Sequence, residues 1–161
     1  AVRWARDRAR SLGADPGRLH LVGHSAGAYN AAMLALDARW LNATGHAPAE
    51  LAGWIGLAGP YDFLPVENPQ VKPIFFFPNS PPDSQPIHHV SATSPPALLI
   101  AAKDDTLVNP ERNTVAMARG LAAHGAQVWL GGRDEAALQE ATRRIGPAAR
   151  SDAILNAMAM R

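Results

Sequence analysis

The chemistry in this sequence concentrates in Gly23-His24-Ser25-Ala26-Gly27, where one hydroxyl sits among small residues at the end of the short apolar run Arg18-Leu19-His20-Leu21-Val22. A serine hydroxyl attacks an acyl carbon only when a base removes its proton, commonly a histidine held in one tautomer by a carboxylate. Carboxylates follow later as the pair Asp104-Asp105, and imidazoles stand at His20, His24, His46, His88, His89 and His124. A plain strand-to-helix turn would explain the glycines equally, and helix capping would explain the acidic pair.

The flanking elements decide what these residues could do. Residues 18–23 are short, apolar and bounded by turns, which predicts a buried strand. Residues 26–41 lack proline and are rich in Ala, Leu and Met, which predicts a helix. Ser25 then lies on a strand–turn–helix junction, the setting in which a Gly-x-Ser-x-Gly pattern exposes a nucleophile. Gly23 and Gly27 would leave room for a strained turn and for close strand–helix packing. The Ala26 N–H, at the start of the helix, would point where an oxyanion forms. His20 reads as a core histidine within its strand, and His24 points away from the serine hydroxyl. A second strand is predicted through Trp54, Ile55 and Leu57. A third covers 97–101 and ends just before Asp104-Asp105, with Asn109 as N-cap and Pro110 at the first position of the next helix. Between them, residues 60–96 hold ten of the fourteen prolines. That density excludes helix interiors and central strands. The segment is expected to be a loop over the site, a lid or pocket wall anchored by Phe75-Phe76-Phe77. A fourth strand is expected at 126–130, and His124 beside Gly125 suits a helix C-terminus.

Composition bounds the function. At 161 residues, 47% hydrophobic and 18% charged, the chain suits a globular domain with a real core. A net charge of +1 gives no reason to expect a nucleic-acid or membrane partner. There are no cysteines, which excludes disulfides and thiol chemistry. No apolar run approaches the roughly 20 residues of a membrane span, and no leader is visible at the start; a cytoplasmic location is the expectation. No His-Glu-x-x-His pair and no acidic cluster at calcium or magnesium spacing is present, so neither cofactor nor metal is expected.

The order of Asp15-Pro16-Gly17-Arg18-Leu19-His20-Leu21-Val22-Gly23-His24-Ser25-Ala26-Gly27, then 53–63, then 86–90, then 94–110 and the helix 114–128 resembles the C-terminal half of an α/β-hydrolase of the bacterial carboxylesterase and arylformamidase-like kind. The resemblance covers residues 14–130. It implies an α/β fold with three layers around a short parallel sheet. It also implies Ser25 as nucleophile, Ala26 N–H as oxyanion donor, and Asp105 rather than Asp104 as the acid, because that acid commonly precedes a valine by three residues, here Val108. The substrate would be a small ester or amide, cleaved through an acyl-enzyme.

Two departures accompany the resemblance. The family's first strands and its glycine-rich oxyanion loop would precede Ala1, and its histidine would follow the strand at 126–130, where Gly131-Gly132-Arg133-Asp134 stands instead. Residues 1–130 are therefore expected to form a partial α/β-hydrolase domain and 131–161 a helical tail. Loss of flanking strands would leave one sheet edge open to self-association. A non-catalytic remnant or binding module is the second reading. A third arises because residues 125–146 resemble the second strand and following helix of short-chain dehydrogenases, in which Arg133 would meet a nucleotide phosphate. The glycine-rich turn that such binding needs is missing upstream.

Overall fold

Five short parallel strands lie side by side in the order of the sequence: β1 His20–His24, β2 Gly53–Leu57, β3 Ala97–Ile100, β4 Val128–Gly131 and β5 Ala149–Ser151. The structure, a computed structural model, describes residues 1–147 and 149–151. Every pairing is parallel, with Val22 opposite Ile55, Ile55 opposite Leu98 and Leu98 opposite Trp129. Each of the four strands read from sequence is found within two residues of its expected bounds.

The helices follow the local chemistry. Helix α1, Val2–Arg8, ends in a short 3₁₀ turn stopped by Gly13 at φ 75°. The helix expected over 26–41 is two: α2, Ala26–Leu36, and α3, Ala38–Asn42. Asp37 separates them in extended backbone, because its carboxylate accepts the Arg39 N–H and so starts a new helix. Asn109 caps the next helix as expected, its Oδ1 accepting the Arg112 N–H at 3.0 Å. The first turn there is a π-helical stretch, Glu111–Val115, before α4, Ala116–Ala123. Helix α5, Glu135–Ile145, is capped by Asp134 and leads back into the sheet as β5. The stretch after 130 therefore extends the sheet as well as forming a helix; residues 148 and 152–161 of that stretch lie outside the described residues.

Apart from the glycines, burial alternates along the inner strands. Trp54, Ala97, Leu99, Val128 and Leu130 are buried beneath α2, α4 and the turns around Tyr61. Ile55, Leu57, Leu98, Ile100 and Trp129 on the opposite face are only half-buried, and Val22 on the edge strand is 66% exposed. Among the described residues every helix packs on the first face. The α/β class with a parallel sheet stands, with two layers formed by these residues where three are expected. His20 accordingly lies exposed on the open face, its Nδ1 3.0 Å from the Arg18 carbonyl, and is not a core histidine. Among the described residues no helix is long and apolar enough to cross a membrane.

Candidate active site

Ser25 occupies the single residue between β1 and α2, with φ 52° and ψ −121°. A non-glycine residue there lies outside the ordinary wells and is strained by about 1–3 kcal/mol. The surroundings impose it: the Ser25 N–H donates to the Leu57 carbonyl at 2.8 Å, while its own carbonyl accepts from Ala28 and Tyr29 and opens the helix. The side chain is thereby left at the C-terminal end of the sheet, half-buried and, among the described residues, without a hydrogen-bond partner. The N–H groups of Ala26 and Gly27 belong to the first turn, which has no carbonyl of its own helix to bond. They point toward the end of the sheet that carries the serine.

Clearance for the turn comes from Gly23 alone. A Cβ at Gly23 would lie 2.1 Å from the Gly27 carbonyl oxygen, whereas one at Gly27 would meet nothing within 4 Å. The expectation that Gly27 is needed for close packing is therefore corrected: its α-carbon faces open space.

The neighbouring strand ends in a second strained residue. Ala58, at φ 48°, turns the chain after β2, and its N–H donates to the Ile100 carbonyl at 2.8 Å. The following loop is fixed by buried amides that sequence reasoning did not single out. Asn113 accepts from the N–H groups of Tyr61 (2.6 Å) and Asp62 (2.9 Å), and Gln85 accepts from Phe63 N–H at 2.8 Å. The Arg112 guanidinium reaches the Leu64 carbonyl. Asn113 faces this loop from inside the π-helical turn, where the Val115 N–H bonds the Pro110 carbonyl five residues back.

The proline-rich segment is packed onto α2 by an aromatic cluster. Tyr29, one turn after Ser25, stands edge-on to Phe63 and Phe75, with centroids 5.9 and 5.6 Å away, and its hydroxyl donates to the Ser84 carbonyl at 3.0 Å. Burial raises the Tyr29 pKa, with Asp37 adding to the effect, so its hydroxyl remains a donor. Of the expected Phe75-Phe76-Phe77 anchor, Phe75 fills the role, while Phe76 points outward and is 71% exposed.

Asp105 follows β3 and lies at the same end of the sheet as Ser25. Its Oδ1 accepts from the N–H groups of Leu107 and Val108, both at 2.9 Å, which fixes the carboxylate within its own turn. Among the described residues no imidazole is hydrogen-bonded to Asp105 or to Ser25. The histidines bond elsewhere. His88 Nδ1 is 2.8 Å from the Pro82 carbonyl and His89 Nε2 2.6 Å from that of Asp83. His124 Nδ1 meets the Gly120 carbonyl at the end of α4, and His46 pairs with Glu50. His24 is exposed on the open face beside the serine. No cluster of His, Cys, Asp and Glu able to hold a metal is present among the described residues.

Comparison with known proteins places the fold. A family model, BD-FAE, matches residues 1–119. No functionally curated protein matches the chain. Among solved structures, the acetyl ester-xyloside bifunctional hydrolase of Caldicellulosiruptor lactoaceticus is 21% identical, with a TM-score of 0.65 over 83% of this chain and 54% of that one. Esterase 2 of Thermogutta terrifontis is 22% identical, with a TM-score of 0.64 over 82% and 50%. A lipase/esterase from Lactobacillus plantarum is 18% identical, with a TM-score of 0.66 over 89% and 61%. These likenesses establish a shared fold, and the chain spans between half and about three fifths of their length.

Proposed function

The chain belongs to the BD-FAE family of α/β-hydrolase-like proteins, and from that premise we propose that it is a serine hydrolase of the carboxylesterase type with Ser25 as its nucleophile. The observation that carries this reading is the strained backbone of Ser25 between a parallel strand and a helix N-terminus. Nothing about a plain connection requires a non-glycine residue at positive φ there, whereas an exposed nucleophile does. In the proposed reaction Ser25 Oγ attacks the acyl carbon of a small ester. The oxygen that becomes negative is met by the Ala26 N–H, the alcohol departs with the proton taken from Ser25, and water then hydrolyses the acyl-enzyme. Asp105 is the proposed acid that would orient the proton-carrying imidazole.

That imidazole is not supplied at the site by the described residues, and this sets the expected rate. In the subtilisin triad, loss of the histidine alone costs on the order of 10⁶ in turnover. The 161 residues should therefore hydrolyse p-nitrophenyl acetate at trace rates, while a fluorophosphonate probe, given hours, should label Ser25. Labelling that survives Ser25→Ala would remove the assignment. Absence of any labelling in a folded protein would favour the non-catalytic, pocket-keeping reading, which the bonding of His20, His46, His88, His89 and His124 to other groups also supports. A small-molecule ester is the proposed partner, and neither cofactor nor metal enters the scheme.

A further inference from the structure

We propose that two copies of this chain pair edge to edge along β1, antiparallel and centred on Val22, and that the paired imidazoles make two binding sites for a divalent transition-metal ion. Each site takes His20 from one copy and His24 from the other, so a single chain holds neither. Both are independent of the reaction assigned to Ser25.

The backbone sets the pairing. Among the described residues β1 is an edge strand with β2 on its one paired side. On that side the Leu19 carbonyl accepts from the Ala52 N–H, and the Ser25 N–H donates to the Leu57 carbonyl. Successive residues of a strand bond alternate neighbours, so Leu21 and Gly23 also face β2. His20, Val22 and His24 therefore turn their N–H and C=O groups to the open edge, a ready template for another strand. In His20-Leu21-Val22-Gly23-His24 a histidine stands two residues from Val22 on either side. A two-fold interface requires that residue i meet j while j meets i, and this spacing supplies it. Centred on Val22, the pairing bonds Val22 to Val22 of the partner subunit and His20 to His24 of the partner subunit. With His neutral, residues 19–36 carry no formal charge, so no like charges oppose across the edge.

The side chains set the ligand. His20, Val22 and His24 share one face of β1 and are exposed on the uncovered side of the sheet. Within one chain the two histidines stand four residues apart, about 13 Å along a strand, too far to share an ion. Across the pair their Cβ atoms would lie about 5 Å apart on one face. An ion held at about 2.0–2.1 Å from each ring nitrogen fits between them, with water in its other positions. A separate observation prepares His20 for this role. Its Nδ1 lies 3.0 Å from the Arg18 carbonyl. A carbonyl only accepts, so Nδ1 carries the hydrogen and Nε2 of the neutral ring keeps its lone pair. A ring N–H donated to a backbone carbonyl is the usual support of a metal-binding histidine. Imidazole suits zinc, nickel or copper, whereas magnesium prefers oxygen ligands.

Sedimentation equilibrium and calorimetry of the full chain, stripped with EDTA and titrated with zinc chloride, provide the test. Zinc should bind at one ion per chain and tighten the dimer. At free zinc ten times the Kd of a site, each site multiplies the dimerisation constant by about 11, so two give about 100-fold. Magnesium chloride should have no effect. His20→Ala and His24→Ala, both at exposed positions, should each abolish both sites. Mixed in equal amounts, the two variants should regain one site per pair and about a tenfold response, because the remaining His20 of one chain meets the remaining His24 of the other. Ser25→Ala should leave the zinc response unchanged. A dimerisation constant that ignores zinc, parent-like zinc binding by either variant alone, a mixture no better than its components, or equal tightening by magnesium would each overturn the assignment.

Discussion

Replacing Gly23 by alanine tests the geometry on which the reading of Ser25 depends. The added Cβ would sit 2.1 Å from the Gly27 carbonyl oxygen, 2.3 Å from its carbon and 2.6 Å from the Ala28 nitrogen. All three are backbone atoms, so no side chain can swing aside. The gap must open by about 0.9 Å to reach even 3.0 Å, below which real Cβ contacts essentially never fall. The first turn of α2 would have to withdraw from β1, but Ser25 is tied across to Leu57 at 2.8 Å. Overpacking of this kind costs about 1–3 kcal/mol, which for a domain of this size lowers Tm by roughly 2–12 °C. Gly27→Ala supplies the internal control. A Cβ there meets nothing within 4 Å, and alanine exceeds glycine in helix propensity by up to about 1 kcal/mol. Its Tm should hold or rise by up to roughly 4 °C. Thermal unfolding of both variants, followed by circular dichroism and checked by urea midpoints, would decide. If Gly23→Ala melts with the parent, or Gly27→Ala falls as far, the close approach of strand and helix at Gly23 is wrong.

Three further outcomes are expected. Tyr61 is fully buried between Gly56 and Gly59, its hydroxyl has no partner among the described residues, and burial holds its pKa far above the usual phenol range; Tyr61→Phe should therefore be neutral or stabilising by up to about 1 kcal/mol, and a loss beyond 1 kcal/mol in urea would contradict an unbonded hydroxyl. Burial acts to raise the Asp37 carboxyl, but hydrogen bonds from the Arg39 side chain and N–H, with the nearby charges of His89 and Arg39, outweigh it and hold the pKa below the usual range. A depressed folded pKa stabilises above the unfolded value of about 3.9 and ceases to do so as pH falls through the folded value. Asp37→Asn should thus be less stable than the parent near neutrality, with the gap closing below about pH 4; a gap unchanged from pH 7 to pH 2.5 would contradict this. Finally, the open edge β1 and its bare apolar face should make the chain self-associate. Sedimentation velocity should show species larger than a monomer that grow with concentration, and Val22→Lys should shift them toward monomer; a parent chain that is monomeric at every concentration would refute it.

Much of the scaffold was legible because short-range signals determine it. Asp15-Pro16-Gly17 before an apolar run, Gly13 after a helix, and Asn109-Pro110 before the next each fix φ, ψ or a cap locally, and each element lies where they place it. The strand–turn–helix setting of Ser25 follows from the same signals. Most of what the sequence hid depends on distant partners. Asp37 looks like one more polar residue in a helix until its carboxylate is seen paired with Arg39 and, through Arg39, with Asp83 on the proline-rich segment. Gly23 and Gly27 look equivalent in the motif, yet only one faces another backbone. Asn113 holds the loop after β2 across a separation of more than fifty residues, and no local pattern encodes that.

The bare face of the sheet has a topological cause. Parallel strands joined by right-handed crossovers place each connecting segment on a face set by the direction in which the chain moves along the sheet. Here the order is strictly β1-β2-β3-β4-β5, so the chain never reverses direction. Helix α2, the proline-rich segment, α4 and α5 therefore fall on one side, and helices on both faces would need a point where the strand order turns back. Hydrophobic periodicity cannot reveal this. Residues 97–101 and 126–130 read as strands buried on both faces, and Leu98, Ile100 and Trp129 are as apolar as that reading requires. Their partial exposure shows that the described residues cover only one side of the sheet. Among the described residues the same sequential order sets Ser25 at the end of an edge strand, with β2 on one flank and open backbone on the other. Any polypeptide that pairs with that open edge would lie beside the serine, so occupation of the edge and acyl transfer at Ser25 should be measured together.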